Sequence, residues 1–124
     1  MANTLRTALG MNTTTLRVIG DARLADFDAL QKAGRWHAAV YVGGYALEEY
    51  LKCAICKTLD SPQLPRVFEY HDLESLLFFS GLQTQMRSNV EVYDSFKAIA
   101  AIWSEGMRYE DPNDPKYSSN TCQD

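Results

Sequence analysis

From Trp36 to Thr58 apolar and small residues recur three or four apart, at Trp36, Val40, Gly44, Leu47, Leu51, Ala54 or Ile55, and Thr58. That period places them on one stripe of an α-helix of some two dozen residues, about 35 Å long. In a chain of 124 residues, one domain's worth, such a helix has to be the central element. Gly43 and Gly44 fall inside it. Each costs a helix about 1 kcal/mol relative to Ala, so the pair predicts a neighbouring helix or ring in close contact there.

Helical periodicity extends to the rest of the chain and strand alternation is almost absent, which predicts an all-α fold. Residues 1–14 read as a polar lead. Leu16, Ile19, Leu24, Phe27 and Leu30 mark a first helix from Leu16 to Ala33, with Thr13, Thr14 and Thr15 as candidate N-caps and Gly34 as its stop. Asp60-Ser61-Pro62 ends the central helix, and Pro62 and Pro65 keep the chain extended to Tyr70. A short third helix runs from His71 or Asp72 to Ser80, closed by Gly81. Ser88-Asn89-Val90-Glu91 has the form of a capping box and opens a fourth helix that continues through Met107. Residues 110–124 read as an irregular tail. The expected architecture is an up-and-down four-helix bundle over residues 15–109, with Trp36, Leu47, Leu51, Leu76, Phe96 and Trp103 in the core.

Sixteen acidic against twelve basic residues give a net charge of −4, so binding to nucleic acid would have to be local. The longest charge-free apolar stretch, Trp36 to Leu47, is well short of a membrane span, and the Thr-rich start lacks the apolar core of a secretory signal. A cytoplasmic location and no membrane partner are therefore expected. Cys53, Cys56 and Cys122 are an odd number, two of them inside a helix, and read as reduced packing residues.

Few residues can carry chemistry. His37 and His71 are the histidines of the chain, and neither has the Glu three residues before it that a bundle di-metal site needs. The Cys and His spacings fit no zinc site, so no metal and no cofactor is expected. Neither a nucleophile elbow nor a Gly-rich phosphate loop occurs. Glu48 and Lys52 form an i,i+4 pair in the favourable order, which on spacing alone reads as a solvated ion pair. Arg66 and His71, with four residues between them, could bring a guanidinium and an imidazole to one phosphodiester; a His at a helix start is more commonly a cap or packing residue.

Three blocks in order carry a family resemblance. Gly44-Tyr45-Ala46-Leu47-Glu48-Glu49-Tyr50-Leu51-Lys52 resembles the central-helix signature of HEPN domains, His71-Asp72-Leu73-Glu74-Ser75-Leu76 the start of their third helix, and Trp103 with Arg108-Tyr109 the end of their fourth. The similarity spans Leu16 to Tyr109. It implies a small helical module that dimerises through its long helices. Active members are RNA-cleaving toxins or defence nucleases, some beside a nucleotidyltransferase-type partner protein; others bind or assemble without catalysis. Active members carry an Arg-to-His motif in the fourth-helix region, whereas here no His follows Arg108. The resemblance thus implies a non-catalytic, dimeric module that binds a nucleotide, RNA or a protein partner, in a toxin-antitoxin or defence setting.

The alternatives are a metal-independent ribonuclease using His71 or His37 with Arg66 or Arg108, and a self-association scaffold. Arg108 is the leading candidate binding residue, with Tyr109, Tyr41 and Tyr45 beside it to stack a base. The family signature also gives Glu48 and Lys52 a buried or cleft-facing role, with Glu48 expected to pair with Arg108. The aromatic content, from Trp36, Tyr41, Tyr45 and Tyr50 to Phe78, Phe79, Tyr93, Phe96 and Trp103, exceeds what a 14 kDa bundle readily buries. A symmetric homodimer over the central and fourth helices is expected from it.

Overall fold

A computed structural model describes residues 12–117, and Cys122 and most of the N-terminal lead lie outside that range. The described residues form five α-helices and no strand: α1 Thr13–Lys32, α2 Trp36–Thr58, α3 Leu73–Ser80, α4 Gln83–Arg87 and α5 Val90–Ile102. Two 3-10 turns, Arg66–Phe68 and Glu105–Tyr109, complete the path. The described residues are all-α, as the periodicity predicted.

α1 begins three residues earlier than expected, because Asn12 rather than a threonine caps it: the Asn12 Oδ1 accepts from the Thr15 amide at 2.8 Å. The Thr13 amide donates to the Pro62 carbonyl at 3.0 Å, tying the start of α1 to the chain leaving α2. Gly34, with φ +73°, makes the left-handed turn that lets α2 fold back on α1. The two helices share the largest contact in the molecule. Leu16, Gly20 and Phe27 are the residues of α1 buried there.

The two mid-helix glycines do admit close neighbours. A Cβ on Gly43 would sit 3.0 Å from the Phe27 ring, and one on Gly44 would sit 2.0 Å from Trp103 Nε1, inside the indole. The Trp103 indole lies across Gly44 and donates to the Tyr41 carbonyl at 2.9 Å. That anchor explains a correction to the fourth predicted helix. It stops at Ile102, not Met107, because Trp103 takes an extended backbone (φ −76°, ψ 133°) and turns its ring down onto α2. Glu105–Tyr109 then winds as a separate 3-10 turn.

The capping box is also corrected. Asn89 caps α5, its Oδ1 accepting from the Val92 amide at 3.2 Å, while the Ser88 hydroxyl donates to the Gln85 carbonyl and finishes α4, a helix the periodicity did not predict. Asp72, not His71, caps α3, and Gly81 at φ +81° closes it. Leu51, Leu76, Phe96 and Trp103 lie in the core with Ile55, Leu77 and Met107, but Trp36 and Leu47 are only half-buried against it. Cys53 and Cys56 are free thiols buried in α2, and burial pushes the Cys56 thiol up. Residues 110–117 turn back toward α2. Tyr117 is buried edge-on against His37, and His37 Nε2 donates to the Met107 carbonyl at 2.8 Å.

Candidate functional site

Tyr41, Tyr45, Glu48 and Lys52 are spaced four, three and four apart on α2, so they share one face of it. At the Lys52 end this face is polar yet buried. Glu48 is 2% exposed and Lys52 5%. Lys52 Nζ donates to Glu48 Oε2 at 3.2 Å, and His71 Nδ1 donates to Glu48 Oε1 at 2.5 Å. On its outer side His71 Nε2 meets Glu105 Oε2 at 3.0 Å. Both oxygens of the buried carboxylate are therefore engaged, and both ring nitrogens of His71 face carboxylates. The extended segment ahead of α3 delivers His71 to this point, and the 3-10 turn after α5 delivers Glu105.

Three expectations change here. Glu48 does not pair with Arg108; its partners are Lys52 and His71, which reach it from its own helix and from the segment before α3. The solvated ion pair read from spacing is in fact buried. His71 does not cap a helix; it is the link between a buried and an exposed carboxylate. Glu105, which sequence reasoning did not single out, completes the chain of contacts, and its only signal was its place between Trp103 and Arg108.

Aromatic rings join this network to its exposed end. Tyr45 stands edge-on to Trp103 at 5.1 Å, to Tyr41 at 5.1 Å and to His71 at 6.2 Å. Burial first, then the Tyr41 hydroxyl 3.5 Å away, pushes the Tyr45 phenol well above its ordinary range, so it remains a neutral hydroxyl. Beyond Tyr41 comes Arg108. Its guanidinium lies 4.9 Å from the Tyr109 ring centroid, and interaction with the Tyr109 hydroxyl, then with Tyr41, pushes its pKa up further. Arg108 is exposed, as is Tyr109 at 80%, and among the described residues Arg108 forms no ion pair with a carboxylate.

The structure thus brings Arg108, Tyr109, Tyr41, Tyr45, Glu48, Lys52 and His71 into one continuous array. Arg66 is not part of it: it sits exposed on the 3-10 turn before α3, with no ion pair to any of these groups. The array can hold an anion at the guanidinium and stack a ring on the tyrosines. Among the described residues no three His, Cys, Asp or Glu side chains converge to hold a metal ion, and no helix is long and apolar enough to cross a membrane. No family model, no curated protein and no solved structure matches the chain.

Proposed function

We propose that this chain is a non-catalytic, HEPN-like binding module, acting as a homodimer, that takes the phosphate of a nucleotide or of an RNA end at Arg108. One observation carries the reading: an exposed guanidinium lies 4.9 Å from the Tyr109 ring centroid and forms no ion pair with a carboxylate among the described residues, so its charge is left for an anion while the ring beside it offers a stacking surface. The net charge of −4 favours a short phosphate ligand over a long RNA, which would need a broader basic surface. The buried Glu48–Lys52 pair, with half-buried His71 on its other carboxylate oxygen, supports this as the floor under the tyrosines.

The ribonuclease reading has less support. His71 has a carboxylate at each ring nitrogen, which leaves neither nitrogen open to a substrate hydroxyl. The partner expected from the HEPN resemblance, a nucleotidyltransferase-type protein in a toxin-antitoxin or defence setting, belongs to the same proposal.

The test is calorimetric titration of the purified chain with AMP, ATP and a short single-stranded RNA, alongside metal-free incubation with total RNA. Binding that falls about tenfold in Arg108→Ala, the loss expected for a charge-assisted contact, with the RNA left intact, is the expected result. Unchanged binding in Arg108→Ala, or no binding at all, replaces it with the protein-partner or scaffold reading. RNA cleavage lost in His71→Ala at unchanged melting temperature replaces it with the nuclease.

A further inference from the structure

On the opposite side of α2 from the tyrosine array lies a cavity of about 330 Å³ between α1, α2 and α5, with Met86 of α4 at one edge. Residues 40, 43, 47 and 50 of α2 face it, about half a helical turn around from residues 41, 45, 48 and 52. The space exists because α2 presents small residues there. Gly43 and Ala46 leave room that a larger side chain would fill, and just past the end of α5 Trp103 anchors the chain on α2 at Gly44 and the Tyr41 carbonyl. Its volume falls in the range of small-molecule sites, about 300–1,000 Å³.

The wall is apolar except for Tyr50, Ser95 and Glu91. The Tyr50 hydroxyl is already committed, donating to Asp21 Oδ1 at 2.5 Å. Glu91 is the ionisable acid of the wall, exposed in the first turn of α5, and it forms no ion pair among the described residues. Leu24 and Val92, partly exposed beside it, form an apolar lip. An apolar chamber with a single unpaired carboxylate at its mouth, on a molecule of net charge −4, is complementary to an apolar body carrying one positive charge.

We propose that this cavity is a binding site for a small cationic amphiphile, its hydrocarbon part between Phe27, Leu47 and Phe96 and its ammonium at Glu91. The site is separate from the Arg108 face, and either can fail without the other.

The experiment is calorimetric titration of the full chain with octylamine, octanol and octanoate, three probes of equal chain length and different head charge. The expected result is one amine per chain, bound about tenfold more tightly than the alcohol and more tightly still than the carboxylate. Glu91→Gln, an exposed substitution that leaves the fold intact, should bring the amine down to the affinity of the alcohol. Ser95→Phe, which fills the chamber from α5, should abolish binding of both. Equal affinity for all three probes, no binding, or amine binding unaffected by Glu91→Gln overturns the proposal. So does a Ser95→Phe variant whose change is a switch from dimer to monomer, which would make a second copy the occupant.

Discussion

A buried charge is stable only with its partner, and Lys52 is the residue where this is most exposed to test. Its ammonium and the Glu48 carboxylate are both almost wholly removed from water, and His71 holds the other carboxylate oxygen. Removing one member of such a pair leaves the other uncompensated, a loss of about 3–5 kcal/mol, whereas a surface pair is worth about 1 kcal/mol or less. Lys52→Met should therefore lower the urea midpoint of unfolding by several kcal/mol equivalent, and a change below about 1 kcal/mol would place the pair at the surface after all. Tyr50 gives the complementary pH test. Burial, then its hydrogen bond to Asp21, pushes its pKa up to about 12. A phenol whose folded pKa is raised holds its proton more tightly in the folded state, so its stabilisation is complete below the unfolded value near 10 and is lost as pH rises from there toward 12. Tyr45, Tyr70 and Tyr117 shift in the same direction. Urea midpoints followed from pH 9 to 12 should fall steeply in the native chain and less steeply in Tyr50→Phe; parallel curves would remove Tyr50 from the effect.

At the scale of elements, α5 depends on its start. It has 13 residues, only Phe96 and Ile99 buried along its length, and an Asn89 cap on an otherwise exposed end. Asn89→Ala should cost about 1 kcal/mol, and Ser88→Ala little, since Ser88 closes the preceding turn; thermal melts of both variants measure this, and the reverse order would restore Ser88 as the cap. The length and position of α2 were legible in its repeating period, and so were Gly81 as a stop and the close approach at Gly44. What was not legible is long-range. Ile102 ends a helix whose apolar period runs on to Met107, because Trp103 gains more from crossing Gly44 and reaching the Tyr41 carbonyl than from one more helical turn. The same holds at the candidate site. The spacing of Glu48 and Lys52 was visible, but His71 meets Glu48 across 23 positions of sequence and Glu105 meets His71 across 34, and no local period reports such a meeting.

For the whole molecule, the question is where a second copy would attach. α2 is covered along much of its length by α1, α3, α5 and the closing 3-10 turn, so the central helix expected to form the two-fold contact offers little free apolar surface. Apart from Tyr109 at the candidate site, the large exposed rings among the described residues lie instead on α3. Phe78 is 62% exposed and Phe79 47%, and the two stand edge-on at 5.1 Å, with Phe68 5.3 Å from Phe79 and Val67 exposed on the turn before them. Their place on a helix of eight residues, with Leu73, Leu76 and Leu77 already anchoring the opposite side, makes them redundant for the core. A two-fold contact presents the same patch twice, so a short aromatic ridge can pack against its own copy without any further complementary surface. The proposed homodimer is therefore expected to close over α3. Sedimentation at micromolar concentration should give a species of twice the 14.0 kDa chain mass, and Phe78→Ser with Phe79→Ser should return it to one chain with its helical circular dichroism unchanged. A native chain that sediments only as a monomer removes the dimer. A dimer that survives both substitutions moves the contact to another face, such as that of α1, where Val18, Ile19 and Leu24 are exposed.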